Sequence, residues 1–512
     1  MRLAVPIMVD DPACLAAAIS QGDAAIQAGA TLIEWRIDRA MSDPQSTLEL
    51  VRHLCAESGQ SCVITARSVD EGGFYEGTPE DLADCINAMS TLEVRPSWLD
   101  VEQAFLDASV SLQEAVKRYR ALGGRVIASF HDYQGRPKDL HRRAVEMQTG
   151  PVDAVKLVWR ARSLRDCVEC EELLRQRTLP MIALCMGPYG VMSRVLAGAW
   201  GGLASFASLE GDLATAPGQL SIDEMLRWYR ATARSTNTAV FGLIGDPIGR
   251  SPGFFRHNAA FAEAGCDAVY LPLPIAGSWE SLAGTLATLI DDSEIPFRGA
   301  SITLPHKANL VRFARQRNGT ISELVERIGV ANTLTIDQAG AVSVENTDVQ
   351  GIVDPILTRR PSLQRLQAGV IGAGGVARAA VAGLCLQGCE VWVMNRTESR
   401  AITLQQELAE LGSIHIGPPP TPVDVLVQAT SVGMAHGSNP EDSAFTSLGL
   451  SASAVLASDG VMLETIYDPL RTPAAHEAEE VGAEVISGDE MWKAQASAQQ
   501  QLWTGHVVTS WA

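Results

Sequence analysis

Eight short apolar runs alternate with helix-like segments over roughly the first 225 residues of this 512-residue chain. This alternation restricts the fold more than any other feature, because strands that are each followed by a helix build a parallel sheet. Eight such units in this length are typical of a closed (β/α)8 barrel, and their regular repetition favours a barrel over an open doubly wound sheet. The runs are LAVPIMV (3–9), LIEWRID (32–38), CVITAR (62–67), SWLDVE (97–102), RVIASFHD (125–132), DAVKLVW (153–159), MIALCMG (181–187) and LASFASL (203–209).

Length, charge and cysteine placement narrow the class of protein. The chain is too long for one core, so we expect roughly two to four domains. A net charge of −20 without runs of Lys or Arg argues against nucleic-acid binding. There is no long apolar stretch or basic leader, and most cysteines lie in apolar patterns, so we expect a cytoplasmic protein with no membrane partner. The CxxC pair Cys167 and Cys170 lacks further ligands, and we expect no metal site.

Polar side chains gather where the barrel strands end, which is where such barrels carry their chemistry. Three of them alternate along the second run and therefore share one face. A lysine on the sixth run neighbours a histidine that ends the fifth. We expect the following residues to converge on one mouth: Glu34, Arg36, Asp38, Arg67, Glu71, His131, Lys156, Arg194, Thr215 and Gln219.

Lys156 is the most informative of these residues, because it lies within the apolar run DAVKLVW. Burial without a partner favours the neutral amine, which can form a Schiff base with a ketone. His131 can remove a proton from the adjacent carbon and then protonate the leaving group, while Glu71 orients the imidazole. Arg194 and Gln219 can bind a substrate carboxylate. The residue types therefore indicate an imine-assisted elimination of water.

The motifs EWRID, TARSVDEGG, ASFHDY, VDAVKLV, MGPYGVMSRV and TAPGQLS resemble those of type I 3-dehydroquinate dehydratase and cover residues 1 to about 226. The resemblance implies Lys156 as the Schiff-base lysine and His131 as the general acid and base, with Glu71 behind it. It implies the following substrate contacts: Glu34, Arg36, Arg67, Arg194, Thr215 and Gln219. The family often has Ser where this chain has Thr215, which keeps the hydroxyl.

A dinucleotide-binding fingerprint marks the second half. In AGVIGAGGVARAAVAGLCLQG (368–388) a strand runs through glycines into an Ala-rich helix, and Gly372, Gly374 and Ala377 fit the GxGxxA spacing. The next strand ends in Asn395-Arg396-Thr397, with Arg400 following, where an NAD site would carry an acidic residue. Arginines match a 2′-phosphate, so the sequence predicts NADP as the cofactor.

Residues 239–512 resemble shikimate dehydrogenase in GDPIGRSPGFFRHN, GASITLPHKANL, GVANTLT, ENTD, IGAGGVAR, NRTESR, QATSVGM, YDPLRTP and QASAQQQLWTG. The resemblance implies Lys307 and Asp348 as a catalytic pair, Asn346 as loop support and His306 as an onlooker. It implies these substrate contacts: Ser251, Thr303, Asn332, Tyr467 and Gln495. It implies these NADP contacts: Gly372, Ala373, Gly374, Gly375, Ala377, Asn395, Arg396, Thr397, Arg400, Thr430, Gly433 and Met434.

One loop departs from the shikimate dehydrogenase pattern. The family usually reads H-S-x-S-P, whereas this chain has Arg250-Ser251-Pro252-Gly253-Phe254 at the same distance from His257. Losing the second serine should weaken carboxylate binding by about 1 kcal/mol or more, unless Arg250 compensates. Gly253 should also leave room beside the carboxylate carbon, where quinate carries an additional hydroxyl. Quinate or quinate/shikimate dehydrogenase therefore stays open as an alternative for this half.

The two halves together resemble the bifunctional dehydratase–shikimate dehydrogenase proteins of plants. We place a barrel at 1–234, a substrate domain at 239–345, an NADP-binding Rossmann domain at 346–486 and a returning helix at 487–512. The expected partners are small molecules: 3-dehydroquinate, 3-dehydroshikimate, shikimate or quinate. Two further alternatives are a non-catalytic sensor, which should have lost Lys156, His131, Lys307 or Asp348, and an impaired dehydrogenase half.

Overall fold

The computed structural model describes residues 1–41, 43–58, 62–209, 218–248, 251–292, 294–435, 437–508 and 511. Thr215 and Arg250, both named from the sequence, lie outside the described residues. The predicted α/β architecture is confirmed: three sheets follow one another along the chain. None of the described helices combines the length and the apolarity needed to cross a bilayer.

The first sheet is an eight-stranded parallel barrel with the strand order β7-β6-β5-β4-β3-β2-β1-β8. Its ends meet where the Leu203 N–H donates to the Met181 carbonyl at 2.8 Å. The strands are β1 Arg2–Met8, β2 Leu32–Arg36, β3 Cys62–Thr65, β4 Trp98–Glu102, β5 Val126–Asp132, β6 Ala154–Arg160, β7 Met181–Met186 and β8 Ala204–Phe206. The helices are α1 Leu15–Gln27, α2 Pro44–Ser58, α3 Pro79–Met89, α4 Gln103–Ala108, α5 Val110–Ala121, α6 Leu140–Met147, α7 Arg165–Gln176 and α8 Val191–Leu196.

The alternation of side chains along each barrel strand separates two apolar layers. On β6, Val155, Leu157 and Trp159 join the core between barrel and helices. Ala154 and Val158 belong instead to the cluster inside the barrel. Lys156 stands between these two in the alternation, so its side chain shares the interior face.

The second sheet is mixed, with the order β10-β9-β11-β13-β14-β12, and β13 runs antiparallel to both of its neighbours. Its strands are β9 Ala239–Gly245, β10 Ala268–Pro274, β11 Phe297–Ile302, β12 Thr320–Ile321, β13 Thr333–Ile336 and β14 Val342–Glu345. Its helices are α9 Gly253–Glu263, α10 Trp279–Ala287, α11 Lys307–Gln316, α12 Glu323–Ile328 and α13 Asp348–Arg359.

The third sheet is parallel with the order β17-β16-β15-β18-β19-β20, the doubly wound Rossmann order. Its strands are β15 Gln367–Ile371, β16 Glu390–Met394, β17 Ile414–Ile416, β18 Val423–Gln428, β19 Leu456–Glu464 and β20 Glu484–Ile486. Its helices are α14 Gly375–Leu386, α15 Glu398–Leu408, α16 Ala452–Val455 and α17 Pro473–Glu480, and the long α18 Gly488–Thr504 follows β20. Helix α18 packs against α13 and reaches the second sheet, where Gln499 accepts a hydrogen bond from Ser301 at 2.9 Å.

Short helical turns complete the chain. In the described residues these are 3₁₀ helices at Pro12–Cys14, Pro188–Gly190, Ala231–Ala233, Ala409–Leu411 and Thr446–Leu448, and π turns at Glu224–Trp228 and Thr288–Asp292. Arg234, after the barrel, donates to the carbonyls of Tyr229 and of Ala268 in β10 at 2.7 and 2.8 Å. These bonds tie the last turn of the barrel to the second sheet.

A buried histidine on α9 predicts how stability depends on pH. His257 packs against Tyr270 and Trp503, and its Nδ1 accepts from Gln500 at 2.9 Å. Burial lowers the pKa of His257 to about 3. The unfolded chain takes up this proton below about pH 6.5 and the folded chain does not, so stability present above that pH is lost as the pH falls towards 3. We expect His257 to account for about 2 kcal/mol of lost unfolding free energy between pH 6.5 and 5.0.

Urea unfolding at the two pH values measures this loss. The His257→Gln variant should lose less unfolding free energy between the two pH values, because it lacks the group that takes up one proton on unfolding. His53→Gln, at an exposed position on α2, is the matched control and should keep the wild-type pH dependence. An unchanged pH dependence in His257→Gln would contradict the assignment.

Candidate active sites

The barrel interior pairs Lys156 with two carboxylates. Its Nζ donates to Glu34 at 2.9 Å and to Asp100 at 3.1 Å, and it lies 4.5 Å from the centre of the Phe206 ring. The sequence argument for a neutral amine assumed burial without a partner, whereas the structure gives Lys156 two carboxylate partners. Closure of the barrel brings β2 and β4 opposite β6, and each contributes one acid to the lysine.

Arg67 lies at the centre of a buried ionic cluster. Its guanidinium donates to Asp100 at 2.6 Å, to Glu71 at 3.0 Å and to Glu102 at 3.1 Å. Burial opposes the charge of Arg67, but these three carboxylates outweigh burial and raise its pKa. Burial likewise opposes the charge of Asp100, yet Arg67 and Lys156 hold the pKa of that carboxyl well below its ordinary range. The cluster fixes a negative charge directly beside the lysine.

His131 and Glu71 form a hydrogen-bonded pair, with 2.9 Å between Nδ1 and Oε2. Burial lowers the pKa of His131 well below its ordinary value, and the charges of Arg67 and Lys156 lower it further. Burial raises the pKa of Glu71 to about 8, against the lowering effect of Arg67. The imidazole is therefore neutral near pH 7 and able to accept a proton.

The loop that carries Glu71 is tightly built. Gly72 has φ +79°, and a Cβ there would lie 2.5 Å from the Tyr133 ring. A Cβ at Gly73 would lie 2.1 Å from the Arg67 carbonyl. The EGG sequence lets the loop fold closely over the mouth and leaves the Tyr133 ring packed against it.

Arg194 supplies a buried cation to the same cavity. The cavity is lined by these polar residues among others: Glu34, Arg36, Arg67, His131, Tyr133, Lys156, Arg194 and Gln219. The Arg194 Nε is buried without a hydrogen-bond partner among the described residues, and burial lowers the pKa of its guanidinium. Arg36 differs, because it is bound by Asp38 at 2.5 and 3.1 Å. An anionic group in the cavity would give Arg194 the partner it lacks.

The second site is centred on Lys307 and Asp348, which the sequence could not bring together. Lys307 opens α11 and Asp348 opens α13, and their side chains form a buried ion pair. The other Asp348 oxygen accepts from Asn332 Nδ2 at 2.8 Å. Asn346 supports this helix start, as expected, since its Oδ1 accepts from the Asp348 N–H at 3.0 Å. The Lys307 chain also lies against the nucleotide-binding turn, 3.1 Å from where a Cβ on Gly375 would stand.

The chain divides into segments that match known families. Residues 3–236 match the type I 3-dehydroquinase family, residues 243–334 the shikimate dehydrogenase substrate binding domain, and residues 356–430 the shikimate/quinate 5-dehydrogenase family. The second half is 33% identical over 274 residues to the shikimate dehydrogenase (NADP(+)) of Maridesulfovibrio salexigens. The aligned region covers 52% of this chain and 91% of that relative. The chain belongs to the type I 3-dehydroquinase and shikimate dehydrogenase families.

Relatives that join the two families match almost the whole chain. The bifunctional 3-dehydroquinate dehydratase/shikimate dehydrogenase of Arabidopsis thaliana is 28% identical over 98% of this chain and 82% of its own length. The pentafunctional AROM polypeptide of Yarrowia lipolytica is 28% identical over 95% of this chain, which spans 31% of that longer protein. The identity predicted from the sequence is therefore confirmed.

The substrate side of the dehydrogenase half corrects one expectation about Gly253. A Cβ on Gly253 would lie 3.1 Å from Ser251 Oγ, 3.3 Å from Tyr270 and 3.4 Å from His257. The room that glycine was expected to leave is already filled, because Ser251 Oγ turns back and accepts from the Gly253 N–H at 3.1 Å. Tyr467 belongs to the same group of side chains. Burial raises the pKa of Tyr467, and a hydrogen bond with Ser251 opposes that rise.

The other dehydrogenase residues fall into two groups. Asn332 is held inside the fold, where its Oδ1 accepts from the Thr347 N–H at 2.8 Å. His306 is also internal, since its Nε2 lies 3.0 Å from the Ile275 carbonyl. Thr303 and Gln495 are only partly buried and remain accessible. The structure thus places His306 in a backbone contact, and its role as an onlooker stays a prediction.

The predicted nucleotide-binding residues fit a dinucleotide phosphate. Gly372 has φ +121°, and a Cβ there would lie 2.7 Å from the Ala429 carbonyl, whereas a Cβ on Gly374 at the start of α14 would meet open space. That opening faces the first amides of the helix, where a pyrophosphate binds in this fold. Arg396 and Arg400 are exposed, and neither has a carboxylate within 4.0 Å in the described part of the chain.

Sequence reasoning missed several residues of the dehydratase site. Asp100 and Glu102 lie on β4 and Ser129 on β5, and all three contact Arg67. Phe206 and Tyr133 line the cavity. The run SWLDVE carried the signal, since its two acids alternate as the polar residues of LIEWRID do.

The CxxC cysteines do not face a ligand set. Cys170 Sγ lies 3.6 Å from Cys185 Sγ, and Cys167 Sγ donates to the Tyr189 carbonyl at 3.1 Å. Burial raises the pKa of Cys170 and Cys185, and for Cys167 a hydrogen bond with Cys185 raises it as well. None of the ten cysteines forms a disulfide.

Proposed function

We propose that this chain catalyses two consecutive steps. The barrel dehydrates 3-dehydroquinate to 3-dehydroshikimate, and the second half reduces that ketone to shikimate with NADPH. The observation that carries the proposal is the meeting of Lys156, the His131–Glu71 pair and the buried Arg194, whose Nε has no hydrogen-bond partner in the described part of the chain, around one cavity. The ion pair of Lys307 and Asp348 beside the nucleotide-binding turn supports the second activity.

Lys156 acts as the nucleophile of the first reaction. Its amine, after losing a proton to Glu34 while Asp100 keeps its charge, attacks the substrate ketone, and loss of water gives an imine. Glu34 and Asp100 support this role, because both lie within hydrogen-bond distance of Nζ. The imine is then the electron sink for breaking the adjacent C–H bond.

His131 moves the proton. The neutral imidazole takes the proton from the carbon next to the imine and returns it to the departing hydroxyl, which leaves as water. Glu71 orients the ring through its Nδ1 contact. Hydrolysis of the imine then releases 3-dehydroshikimate and restores the lysine.

Arg194 binds the substrate carboxylate. Gln219 lines the same cavity, and Thr215 belongs to this set by resemblance alone. Glu34, Arg36 and Arg67 complete the proposed contacts, and the cavity lining supports all three. Arg67 doubles as the centre of the ionic cluster, so its loss would disturb the site beyond one substrate contact.

A charge-removing change at Arg194 tests the carboxylate contact. We expect Arg194→Gln to raise the KM for 3-dehydroquinate about 10- to 100-fold, which is the value of a charge-assisted hydrogen bond. Because the guanidinium Nε has no hydrogen-bond partner among the described residues, thermal stability should not fall. Arg52→Gln on the exposed side of α2 is the control and should match wild type. A lower melting temperature with unchanged KM would instead make Arg194 structural.

Lys307 and Asp348 handle the proton of the second reaction. Lys307 donates to the carbonyl oxygen of 3-dehydroshikimate during reduction and receives the proton in the reverse direction. Asp348 holds the ammonium in place and is itself held by Asn332. The proposed substrate contacts are Ser251, Thr303, Asn332, Tyr467 and Gln495.

NADP is the cofactor of this half, and when bound it carries the hydride. Its pyrophosphate would be held by the turn Gly372 to Ala377, with Ala373, Gly374 and Gly375 between them. Its 2′-phosphate and ribose would be held by Asn395, Arg396, Thr397 and Arg400. Thr430, Gly433 and Met434 complete the proposed contacts. The open space at Gly374 supports this assignment, as do the exposed Arg396 and Arg400, which form no ion pair within the described residues.

The initial rate of NADP⁺ reduction with shikimate and with quinate, measured side by side, tests the second activity. We expect faster turnover of shikimate, because the space beside Gly253 is filled by Ser251 and Tyr270. Quinate at a comparable or higher rate would move this half to quinate metabolism. No reaction with either substrate would support the impaired-dehydrogenase alternative.

The absence of a disulfide among the ten cysteines supports a reducing compartment such as the cytoplasm.

A further inference from the structure

Two buried polar residues end neighbouring strands of the Rossmann sheet. Gln428 closes β18 and Glu464 closes β19, and the two are directly paired in register. Both side chains have zero exposure to solvent. The carboxyl ends of these strands are where ligands bind in this fold, so loops that leave from them flank the site.

Glu464 organises the loop after β19, residues 465–472, which we call the substrate-side loop because it carries Tyr467. One Glu464 oxygen accepts from the Ile466 N–H at 3.0 Å, and the other accepts from the Thr472 hydroxyl at 2.6 Å. The carboxylate therefore accepts a hydrogen bond from each end of the loop. Burial raises the pKa of Glu464 to about 7, and the bond from Thr472 is the first of those that oppose the rise.

Gln428 organises the loop after β18, residues 429–435, which we call the cofactor-side loop because it carries Thr430 and Met434. Its Oε1 accepts from the Thr430 N–H at 2.6 Å, and its Nε2 lies 3.3 Å from the Val432 carbonyl. Gln428 also lies beside Glu464, since the two residues are register partners on adjacent strands, and the Gln428 side chain lowers the pKa of Glu464. The two loops touch directly as well, since the Ala435 N–H donates to the Asp468 carbonyl at 3.0 Å.

From this geometry we propose that Gln428 and Glu464 form a positioning pair, which holds the cofactor-side loop and the substrate-side loop at a fixed separation. Neither residue touches substrate or cofactor. The proposal rests on the proposed dehydrogenase activity and adds that the loops flanking its two ligands are both fixed by two buried residues paired on adjacent strands. Small misplacements of reacting groups cost large factors in rate, so the pair governs turnover and both Michaelis constants.

Glu464→Gln tests the pair, since the change keeps size and turns one acceptor into a donor. Steady-state shikimate oxidation should show a KM raised about tenfold for both shikimate and NADP⁺, together with a lower kcat. Dehydration of 3-dehydroquinate by the same molecules should be unchanged, which reports that the chain is folded. Thr472→Val, which removes the hydroxyl given to Glu464, should act in the same direction, and Thr472→Ser should restore wild-type constants.

If the two residues only stabilised the fold, the variants would give different results. They would lower the melting temperature and leave both KM values and kcat within about twofold of wild type well below that temperature, and this result would overturn the proposal. Thr358→Val, which removes an exposed hydroxyl bonded within its own helix, is the matched control and should be silent. An inactive wild-type chain would count against the proposed function, whereas an active wild type with normal Glu464→Gln and Thr472→Val variants counts against the positioning pair alone.

Discussion

Replacing Lys156 with alanine should abolish 3-dehydroquinate dehydration, by at least about 10⁴-fold in kcat, and leave shikimate oxidation at the wild-type rate. The large effect is expected because no other amine can form the imine once the nucleophile is removed. The direct measurement is the appearance of 3-dehydroshikimate by its ultraviolet absorbance, with NADP⁺ reduction assayed on the same preparation. The two activities of one chain thus serve as controls for each other.

Loss of the ammonium also leaves Glu34 and Asp100 buried without their cation. Breaking a buried pair in this way can cost about 3–5 kcal/mol of stability, so alanine alone does not separate folding from chemistry. Lys156→Arg keeps the positive charge but cannot form the imine, and it should be equally inactive with higher stability. Lys117→Ala, at an exposed position on α5, should behave as wild type.

Trapping provides the direct test of the covalent step. Borohydride added with 3-dehydroquinate should reduce the imine and add the mass of the substrate adduct to the peptide containing Lys156. The Lys156→Arg variant should give no adduct. Absence of the mass increase in the active wild-type enzyme would disprove the imine mechanism.

The second large effect is expected for Lys307. Lys307→Ala should lower kcat for shikimate oxidation by about 10²- to 10⁴-fold, the usual contribution of a positioned proton donor, while dehydration stays unchanged. The binding of NADPH, followed by fluorescence titration, should persist within a few fold, since the lysine only lies against the turn at Gly375. Lys307→Met keeps the apolar stem and should be as inactive as alanine.

Asp348 separates two roles within the pair. Asp348→Asn keeps the bond with Asn332 but weakens the hold on Lys307, so its kcat should fall less than that of Lys307→Ala. Wild-type activity in Lys307→Met would contradict the assignment of the proton donor. Equal loss of dehydration and oxidation in any of these variants would point to misfolding instead.

Local patterns in the sequence were sufficient to predict the elements and most candidate residues. Period-two alternation placed Glu34, Arg36 and Asp38 on one face of a strand, and the GxGxxA spacing predicted the turn from a strand into the helix that begins at Gly375. Both rules follow from backbone geometry over a few residues, so they can be applied without knowing what lies opposite. The same alternation in SWLDVE would have revealed Asp100 and Glu102 had it been followed there.

The partners of these residues were decided only by the tertiary structure. Lys156 meets Glu34 across 122 positions and Asp100 across 56, because the closed barrel brings separate strands to one interior. The filled space beside Gly253, at the start of α9, depends on Tyr270 of β10, and the Lys307–Asp348 pair depends on the starts of two helices lying side by side. Residue type and local spacing therefore determine which groups the chain offers, whereas charge pairing and available space are set by how distant strands and helices pack.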